Sequence, residues 1–240
     1  VLGSRGLGDV YKDSPCIARF YRSIGISMVR KVASRPPAKK LKSIGAYAFA
    51  GCINLYDIEL PNSLLYLEKY AFSGCKSLYT LKIPSKLQRI SDYTFSKCIS
   101  LTEIKIPGNI REIGYKSFSG CSGLREISIP STVKTVGIGA FENCTELKDI
   151  SLPTTLTEIN YYTFSGCTSL TTLTLHSKLT AINNYAFAGC KSLTEIHCKN
   201  SNPPLIGENT FRDVNRIGCK IFVPSKRAKK SYSTALYWNE

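Results

Sequence analysis

Apolar and polar residues alternate along this chain in a pattern with a 23-residue period. In one unit, Leu55, Ile58 and Leu60 precede Pro61, and a second pair of apolar residues follows the proline. Alternation of the Ile-x-Leu type predicts a short strand with one buried face. Proline has no N–H to donate to a ladder, so it ends the strand. Each unit is therefore expected to contribute a short strand and a turn.

Three residue types keep this period without drift. Phenylalanine recurs seven times, a cysteine follows each phenylalanine by three positions, and a leucine follows each cysteine by three. The columns are Phe49, Phe72, Phe95, Phe118, Phe141, Phe164 and Phe187; Cys52, Cys75, Cys98, Cys121, Cys144, Cys167 and Cys190; and Leu55, Leu78, Leu101, Leu124, Leu147, Leu170 and Leu193. Self-similarity at such a period predicts stacked units, each burying its apolar face against its neighbours. We expect these columns to form one continuous core.

The residue before each cysteine predicts a tight corner. Glycine stands there in most units, because only glycine adopts positive φ without steric cost. The glycines are Gly51, Gly74, Gly120, Gly166 and Gly189. Lys97 and Asn143 occupy the same place in two other units, so glycine is preferred at the corner and not required.

The order Leu-x-x-Ile-x-Ile, then Leu-x-x-Ile, then Phe resembles a leucine-rich repeat. Because the units also carry Ala-Phe-x-Gly-Cys and Ile-Pro, residues 41–224 resemble the BspA-like, or treponemal, class of that family. The resemblance implies a right-handed solenoid of short β-strands, loops and short helical turns, with a parallel β-sheet on one face and a C-terminal cap. The usual asparagine ladder is missing, since its column reads Ser63, Lys86, Asn109, Thr132, Thr155 and Lys178. These turns must satisfy their backbone groups in another way.

The regular array covers residues 41–198, and residues 199–240 read as a capping repeat and a short helix. The next phenylalanine, Phe211, comes one position later than the period predicts, and an edge strand ends at Pro224. The tail from Ser225 predicts an amphipathic helix that covers the open end of the core, as solenoids require. The covering residues are expected to be Ala228, Tyr232, Ala235 and Trp238.

Residues 1–40 form a basic segment that does not fit the repeat. Ser14 and Pro15 predict a helix start, with serine as the cap and proline at the first helical position. The segment is expected to cover the N-terminal end of the solenoid or to be disordered. A basic amphipathic helix lying on a membrane surface is the alternative.

The formal net charge of +15 raises the question of nucleic-acid binding. Residues 1–42 carry ten Lys and Arg against two acids, and residues 199–240 carry eight against three. Residues 43–198 carry fourteen against twelve, so the repeats are nearly neutral. A nucleic-acid-binding solenoid needs a basic stripe along its array, and this distribution argues against such a partner.

Ten cysteines suggest a disulfide framework, but their spacing argues otherwise. Equivalent positions in successive turns lie about 4.7–4.9 Å apart, whereas a disulfide needs Cβ atoms about 3.8 Å apart. No Cys-x-x-Cys pair is present to bring thiolates together on zinc. The column is therefore expected to consist of small apolar thiols. Cys198 and Cys219 stand outside it, and a disulfide between them is left open.

The residues between the buried strand positions point outward, because side chains alternate along a strand. The candidate ligand-binding residues on this strand face are Tyr56, Asp57, Glu59, Tyr79, Lys82, Glu103, Lys105, Arg125, Glu126, Lys148, Asp149 and Glu195. Three of them, Glu103, Glu126 and Asp149, are acids on consecutive turns. The face is interpreted either as a solvated, charge-mixed surface or as a recognition strip for a protein. A calcium site is disfavoured, since no loop-type ligand cluster is present.

A second exposed column of tyrosines precedes most Ala-Phe pairs, and we expect it to be a structural stripe outside the core. Its members are Tyr47, Tyr70, Tyr93, Tyr162 and Tyr185. No nucleophile elbow, phosphate loop or metal-ligand spacing appears, so no catalytic residue, metal or cofactor is predicted. His176 and His197 have no partner in a known catalytic motif.

The resemblance implies a cell-surface or secreted bacterial protein that adheres to a protein or another surface macromolecule, such as host extracellular matrix. A spacer or scaffold with no specific ligand on the repeats is the alternative, and an enzyme is disfavoured. No secretory signal is visible, because Arg and Lys interrupt every apolar stretch before residue 40. No apolar run is long enough to span a membrane.

Overall fold

The structure is a computed structural model that describes residues 41–238. The predicted N-terminal helix start at Ser14 and Pro15 lies outside these residues. The described chain is a solenoid of stacked turns in which every strand pair is parallel. The predicted fold class is confirmed.

The elements of the described chain are short strands followed by a C-terminal helix. In chain order they are β1 (Ser43–Ile44), β2 (Tyr66–Leu67), β3 (Arg89–Ile90), β4 (Glu112–Ile113), β5 (Glu126–Ser128), β6 (Thr135–Val136), β7 (Asp149–Ser151), β8 (Glu158–Ile159), β9 (Thr172–Leu175), β10 (Ala181–Ile182), β11 (Glu195–Cys198), β12 (Leu205–Ile206), β13 (Lys220–Phe222) and α1 (Lys226–Thr234).

The predicted strand of each repeat lies on one side of the solenoid. β5 pairs with β7, and β9, β11 and β13 form a second sheet in the same row. In the first turns this row is reduced to isolated parallel bridges, which join Asp57 to Thr80 and Thr80 to Glu103. The register of the strand pairs follows the period of the sequence through the array, and the step from Glu195 to Lys220 is longer.

A second row of strands, which the sequence did not predict, runs along another side. Each is a two-residue strand that, in the array, ends at the second residue of the second apolar pair, such as Ile90 or Ile113. The row comprises β1, β2, β3, β4, β6, β8, β10 and β12. One residue of each strand points inward, as Ile90 and Ile113 do, while its neighbour is exposed or half-buried. This row adds to the predicted sheet, because the segment after the first strand of each unit also extends and meets its equivalent in the next turn.

The Ala-Phe-x-Gly segment forms a third set of contacts between turns. The backbone N–H of Phe49 donates to the carbonyl of Ala71 at 2.8 Å, and that of Gly51 donates to Ser73 at 2.6 Å. The corner after this segment has positive φ in every repeat of the array, including Lys97 at 59° and Asn143 at 58°. The predicted left-handed corner is confirmed, and two side-chain-bearing residues adopt it.

The internal columns are dry and in contact. From Phe72 to Phe187 the phenylalanine side chains are at most 1% exposed, and neighbouring rings lie 5.3–5.7 Å apart, nearly parallel. The cysteines from Cys75 to Cys190 are fully buried thiols. Each donates a weak hydrogen bond to a phenylalanine carbonyl of the preceding turn, at 3.0–3.4 Å. The prediction of one continuous hydrophobic core is confirmed.

Hydroxyl groups replace the missing asparagine ladder. Ser63 Oγ donates to the carbonyl of Leu41 at 2.6 Å. Thr132 Oγ1 and Thr155 Oγ1 donate to the preceding turn in the same way, at 2.8 and 2.7 Å. Asn109 Nδ2 donates to the carbonyl of Ser85. The short hydroxyl side chains reach the carbonyl 22 residues earlier in the chain, whereas Asn109 reaches the one 24 residues earlier.

The C-terminal helix closes part of the final turn. Ser225 caps α1 by accepting a hydrogen bond from the Ala228 N–H at 3.1 Å. Tyr232 donates to the carbonyl of Asn200, and Trp238 Nε1 donates to that of Pro204 at 2.8 Å. Trp238 is 7% exposed and packs against Phe211 and Tyr232. These contacts give the C-terminal cap. Cys198 and Cys219, which the sequence allows to form a disulfide, are free thiols.

Candidate functional site

The candidate residues occupy one face because the strand row holds them in register. Glu126 lies opposite Asp149, and Ser128 lies opposite Ser151, with buried Ile127 between the two exposed positions of β5. At the two ends of the row, the bridge from Asp57 to Thr80 and the pairing of Thr172 with Glu195 continue the same alignment. The predicted outward column is thus a continuous surface.

A shallow groove of about 520 Å³ lies at the middle of this face. Its lining residues are Glu103, Ile104, Lys105, Glu126, Ile127, Ser128, Asp149, Ile150, Ser151, Thr172 and Thr174. Four candidate residues, Glu103, Lys105, Glu126 and Asp149, therefore meet in one concavity. The other eight do not line the groove: Tyr56, Asp57, Glu59, Tyr79, Lys82, Arg125, Lys148 and Glu195. The hydroxyl residues of the groove were not among the predicted candidates, although their place in the strand register identifies them.

The three groove acids carry unpaired charges. Within residues 41–238, no ion pair involves Glu103, Glu126 or Asp149. The basic residues that the sequence placed beside them, Lys105 among them, also form no ion pair in the described chain. The attraction between these acids and the nearby basic residues therefore acts only at longer range, where solvent and salt screen it.

The acids near the second strand row are arranged differently. Asp92 pairs with Lys69 at 2.9 Å and with Arg89 at 3.1 Å, and it also accepts a hydrogen bond from the Tyr115 N–H. Glu112 pairs with Arg89 at 3.2 Å. Partial burial raises the pKa of Asp92, but the Lys69 hydrogen bond and the neighbouring cations outweigh it, so the pKa is lowered on balance. Asp92 and Glu112 are therefore paired within the protein, whereas Glu158 of β8 in the same row is exposed and forms no ion pair in the described chain.

An aromatic pair lies at the N-terminal end of the strand face. The rings of Tyr56 and Tyr79 are parallel, 5.9 Å apart, and Tyr56 is 61% exposed. The backbone ladder that aligns them continues to Thr102 and Arg125. Tyrosine is enriched at protein interfaces, and this pair offers apolar contact area beside the charged groove.

The opposite end of the face contains a histidine that sequence reasoning did not place in the site. His197 Nε2 lies 2.9 Å from Glu195 Oε2, and its ring stacks on Phe222 at 4.6 Å. The other histidine, His176, is buried away from this face; burial lowers its pKa, and its Nδ1 accepts a hydrogen bond from the Lys178 N–H. No group of three His, Cys, Asp or Glu side chains within residues 41–238 is arranged to hold a metal ion.

The separate tyrosine column is stacked outside the core. Tyr47, Tyr70 and Tyr93 lie 4.6 and 4.4 Å apart, and Tyr162 stacks on Tyr185 at 4.9 Å. Tyr115 continues the first stack edge-on at 5.1 Å. Because ring faces in these stacks contact one another, only the outer rings and the edges are available to a ligand. The structural role of the column stays a prediction, and Tyr47 and Tyr162 remain 51% and 38% exposed.

Comparison with known proteins identifies the family. The BspA type leucine rich repeat region matches this chain in six copies, over residues 34–146 and 112–234. The chain belongs to the BspA-type leucine-rich repeat family. No curated protein matches the sequence.

Solved bacterial structures share the family's fold. A leucine-rich repeat protein from Bacteroides ovatus is 27% identical with a TM-score of 0.60, and the match covers 77% of this chain and 59% of that one. The leucine-rich repeat protein of T. pallidum is 31% identical with a TM-score of 0.59, over 64% of this chain and 72% of that one. This chain thus spans less than two thirds of the B. ovatus protein. Among residues 41–238, no helix has the length and apolar character needed to cross a bilayer.

Proposed function

We propose that this BspA-type repeat protein is a non-enzymatic binding protein that recognises a macromolecular partner through its strand face. The observation that carries the proposal is that three acids without an ion pair share one groove on the strand face. Glu103, Glu126 and Asp149 line an open groove with no ion pair, while Asp92 and Glu112 are paired near the second strand row. Exposed acids on adjacent strands repel one another, so a cationic partner relieves a cost that the free protein carries.

The chemistry of the face indicates what kind of partner fits. The groove offers carboxylates with serine and threonine hydroxyls, and the Tyr56–Tyr79 pair offers aromatic surface on the same side. We infer a protein surface or extended segment rich in Lys or Arg, with apolar residues that reach the tyrosines. The family resemblance suggests that the partner is a surface macromolecule, such as a protein of host extracellular matrix. A cell-surface or extracellular location belongs to the same proposal.

The test is a charge reversal with a matched control. In the groove variant, Glu103, Glu126 and Asp149 are all replaced by Lys; in the control variant, the exposed acids Glu68, Glu146 and Glu158 are replaced by Lys. Both variants change the net charge by the same amount. Capture of solubilised matrix proteins on immobilised wild-type and variant chains is compared at about 0.05 and 0.3 M salt.

We expect the groove variant to lose at least about tenfold of the capture seen with the wild type, because attraction to a cationic partner becomes repulsion. The control variant should capture normally, and wild-type capture should weaken at high salt. Both variants should keep a melting temperature close to that of the wild type, since the replaced side chains are exposed. Equal losses in the two variants would show a dependence on net charge alone, and would reject the groove as the binding site.

A spacer role is the second candidate, and the regular stacking of the repeats favours it. At about 4.8 Å per turn, a stack of parallel turns is a stiff rod that holds its two ends apart. Absence of salt-sensitive capture by the wild-type chain would support this function over the first.

A further inference from the structure

The C-terminal end of the solenoid leaves part of its core uncovered, although α1 lies across the final turn. Ile221 occupies the same internal column as Ile196, which lies opposite it in the sheet. Side chains of this column in earlier turns, such as Ile104, Ile127 and Ile196, are 3–4% exposed. Ile221 is 41% exposed and Phe222 is 43% exposed. The cap formed by Tyr232 and Trp238 therefore stops short of the β13 side of the core.

A cavity of about 80 Å³ opens beside Ile221. Its apolar lining includes Ile196, Ile206, Phe211, Val214, Cys219 and Trp238. A cavity of about 150 Å³ holds benzene, so this smaller one has room for a single branched aliphatic side chain. It lies at the end of the core where the next turn of a longer solenoid would place such a side chain.

The strand next to the cavity has a free edge. β13 is the last strand of its sheet and pairs only with β11 among the described strands. The N–H of Lys220 donates inward to the carbonyl of Thr194 at 2.7 Å. Because alternate residues of a strand direct their backbone groups to opposite neighbours, the N–H and C=O of Ile221 face outward. An unpaired edge of this kind is a template for another strand.

The segment that contains this edge is strongly basic, although the cavity lining includes Glu208 as well as Arg216. Residues 199–238 carry eight Lys and Arg against two acids. Lys220, Lys226, Arg227 and Lys229 form no ion pair within the described chain. The first turn of α1 holds cations and no acid, which opposes the helix dipole. A negatively charged partner relieves both the mutual repulsion of these cations and their conflict with the dipole.

We propose that the C-terminal end of the solenoid docks an extended acidic polypeptide segment, which pairs with the free edge of β13 and inserts one aliphatic side chain into the cavity beside Ile221. The surface is distinct from the strand-face groove, so the two proposals stand or fall separately. Lys220 and Lys226 supply the charge complement, and the backbone of Ile221 supplies the hydrogen-bonding edge. A second copy of this chain fits poorly, because residues 1–42 also carry an excess of eight positive charges.

The test uses defined peptides with the whole chain. The probe is a fluorescein-labelled octapeptide of alternating Glu and Leu, compared with octapeptides of alternating Lys and Leu and of alternating Glu and Gly. Fluorescence polarisation should show binding of the Glu-Leu peptide alone, since the second peptide lacks the charge and the third lacks the aliphatic side chains. Lys220→Glu with Lys226→Glu should weaken this binding at least about tenfold. The control is Lys86→Glu with Lys134→Glu, which changes the net charge by the same amount at exposed positions in the array. This control variant should bind the Glu-Leu peptide as the wild type does.

A second measurement locates the bound peptide. Cys219 lines the cavity and is a half-buried free thiol, whereas Cys52 is a half-buried thiol in the first repeat of the array. The peptide should slow alkylation of Cys219 at least about threefold, as followed by mass spectrometry, and leave the rate at Cys52 unchanged. This readout needs no substitution, so it is independent of any effect of the variants on folding.

Four results would overturn the proposal. Binding that leaves Cys219 unprotected, or that falls equally in the control variant, would place the peptide elsewhere. Sedimentation velocity would show whether the chain associates with itself. If it does, and if the double variant Lys220→Glu with Lys226→Glu abolishes this association, the occupant is a second copy of this chain. Binding to phosphatidylglycerol vesicles but not to phosphatidylcholine vesicles or the peptide would assign the basic end to an anionic membrane surface.

Discussion

The middle of the repeat array and the final turn are built from the same columns but meet different demands. In the middle, a strict period brings each phenylalanine, cysteine and leucine onto its equivalent in both neighbouring turns. In the final turn the spacing lengthens, Phe211 packs against Trp238, and the strand residue Ile221 is left partly exposed. A unit between two similar neighbours can bury its apolar face with the same repeated side chains. A unit with a neighbour on one side only needs side chains from outside the repeat to cover its other side.

This difference between the interior turns and the final turn indicates which turns contribute most to the stability of the fold. Interior turns gain from burial on both sides, as expected of a quasi-one-dimensional array. The last turn gains burial on one side only, and the hydrogen bonds of Tyr232 and Trp238 to the backbone of residues 200 and 204 hold the cap in place. Substitutions at equivalent positions in the two regions therefore separate the effect of the column from that of the neighbours.

The largest expected effect is at the phenylalanine column. Phe118→Ala should lower the free energy of unfolding by about 3–5 kcal/mol, because a fully buried ring between two others is removed and leaves a cavity. Phe211→Ala should cost less than half of that, since Phe211 is half-buried and has the tilted ring of Trp238 in place of a second stacked phenylalanine. Urea denaturation followed by circular dichroism measures both. Equal losses at the two positions would contradict the difference between array and end.

The sequence predicted the part of the molecule that depends on the period. Phe118 and Cys121 are identified as core because their equivalents recur in every unit, and the outward position of Glu126 follows from the alternation of one strand. These inferences need no knowledge of how the turns meet. For the same reason, the sequence brought the acids of the groove into one column before any distance was known.

Features that depend on contact between particular side chains were not predictable in this way. The second row of strands was missed because a two-residue pair such as Arg89–Ile90 is too short to show a period. The hydroxyl bond of Thr132 replaces an asparagine only because the neighbouring carbonyl lies within 2.8 Å. The cavity beside Ile221 exists because the cap does not cover this part of the core. The extent of the cap depends on the path of the chain between Val223 and Trp238.

A smaller effect is expected at the cysteines, as a dependence of stability on pH. Burial raises the pKa of Cys98 to about 12 from its ordinary value of 9.0. Because the folded state holds this proton more tightly, stability is fully present below about pH 9 and falls as the pH rises from 9 towards 12. Each pH unit in this window costs up to about 1.4 kcal/mol for one such thiol.

Cys98→Ala should therefore reduce the loss of stability between pH 8.5 and 10 by about 1 kcal/mol. Cys219→Ala should change it less, since that thiol at the end of the array is half-buried and burial raises its pKa by less. Urea midpoints at matched pH values give both slopes, and the comparison of slopes removes any pH-independent cost of the substitutions. A larger change in the pH dependence of stability for Cys219→Ala than for Cys98→Ala would show that the thiol at the end is more strongly buried than the thiol in the array.

The smallest effect is at the left-handed corner, where array and end should agree. Lys97 in the array and Asp213 in the final turn both adopt positive φ, at 59° and 62°. Lys97→Gly and Asp213→Gly should each stabilise the protein by about 0.5–1 kcal/mol, because glycine adopts this conformation without the strain of a Cβ atom and offsets its greater entropy in the unfolded chain. Gly74→Ala is the converse control: its added Cβ would lie 3.6 Å from the nearest atom, so its cost of about 1 kcal/mol comes from the backbone alone. Thermal denaturation of the three variants checks the signs. A gain at Lys97 without one at Asp213 would mean that the longer spacing of the final turn has altered its corner as well as its core.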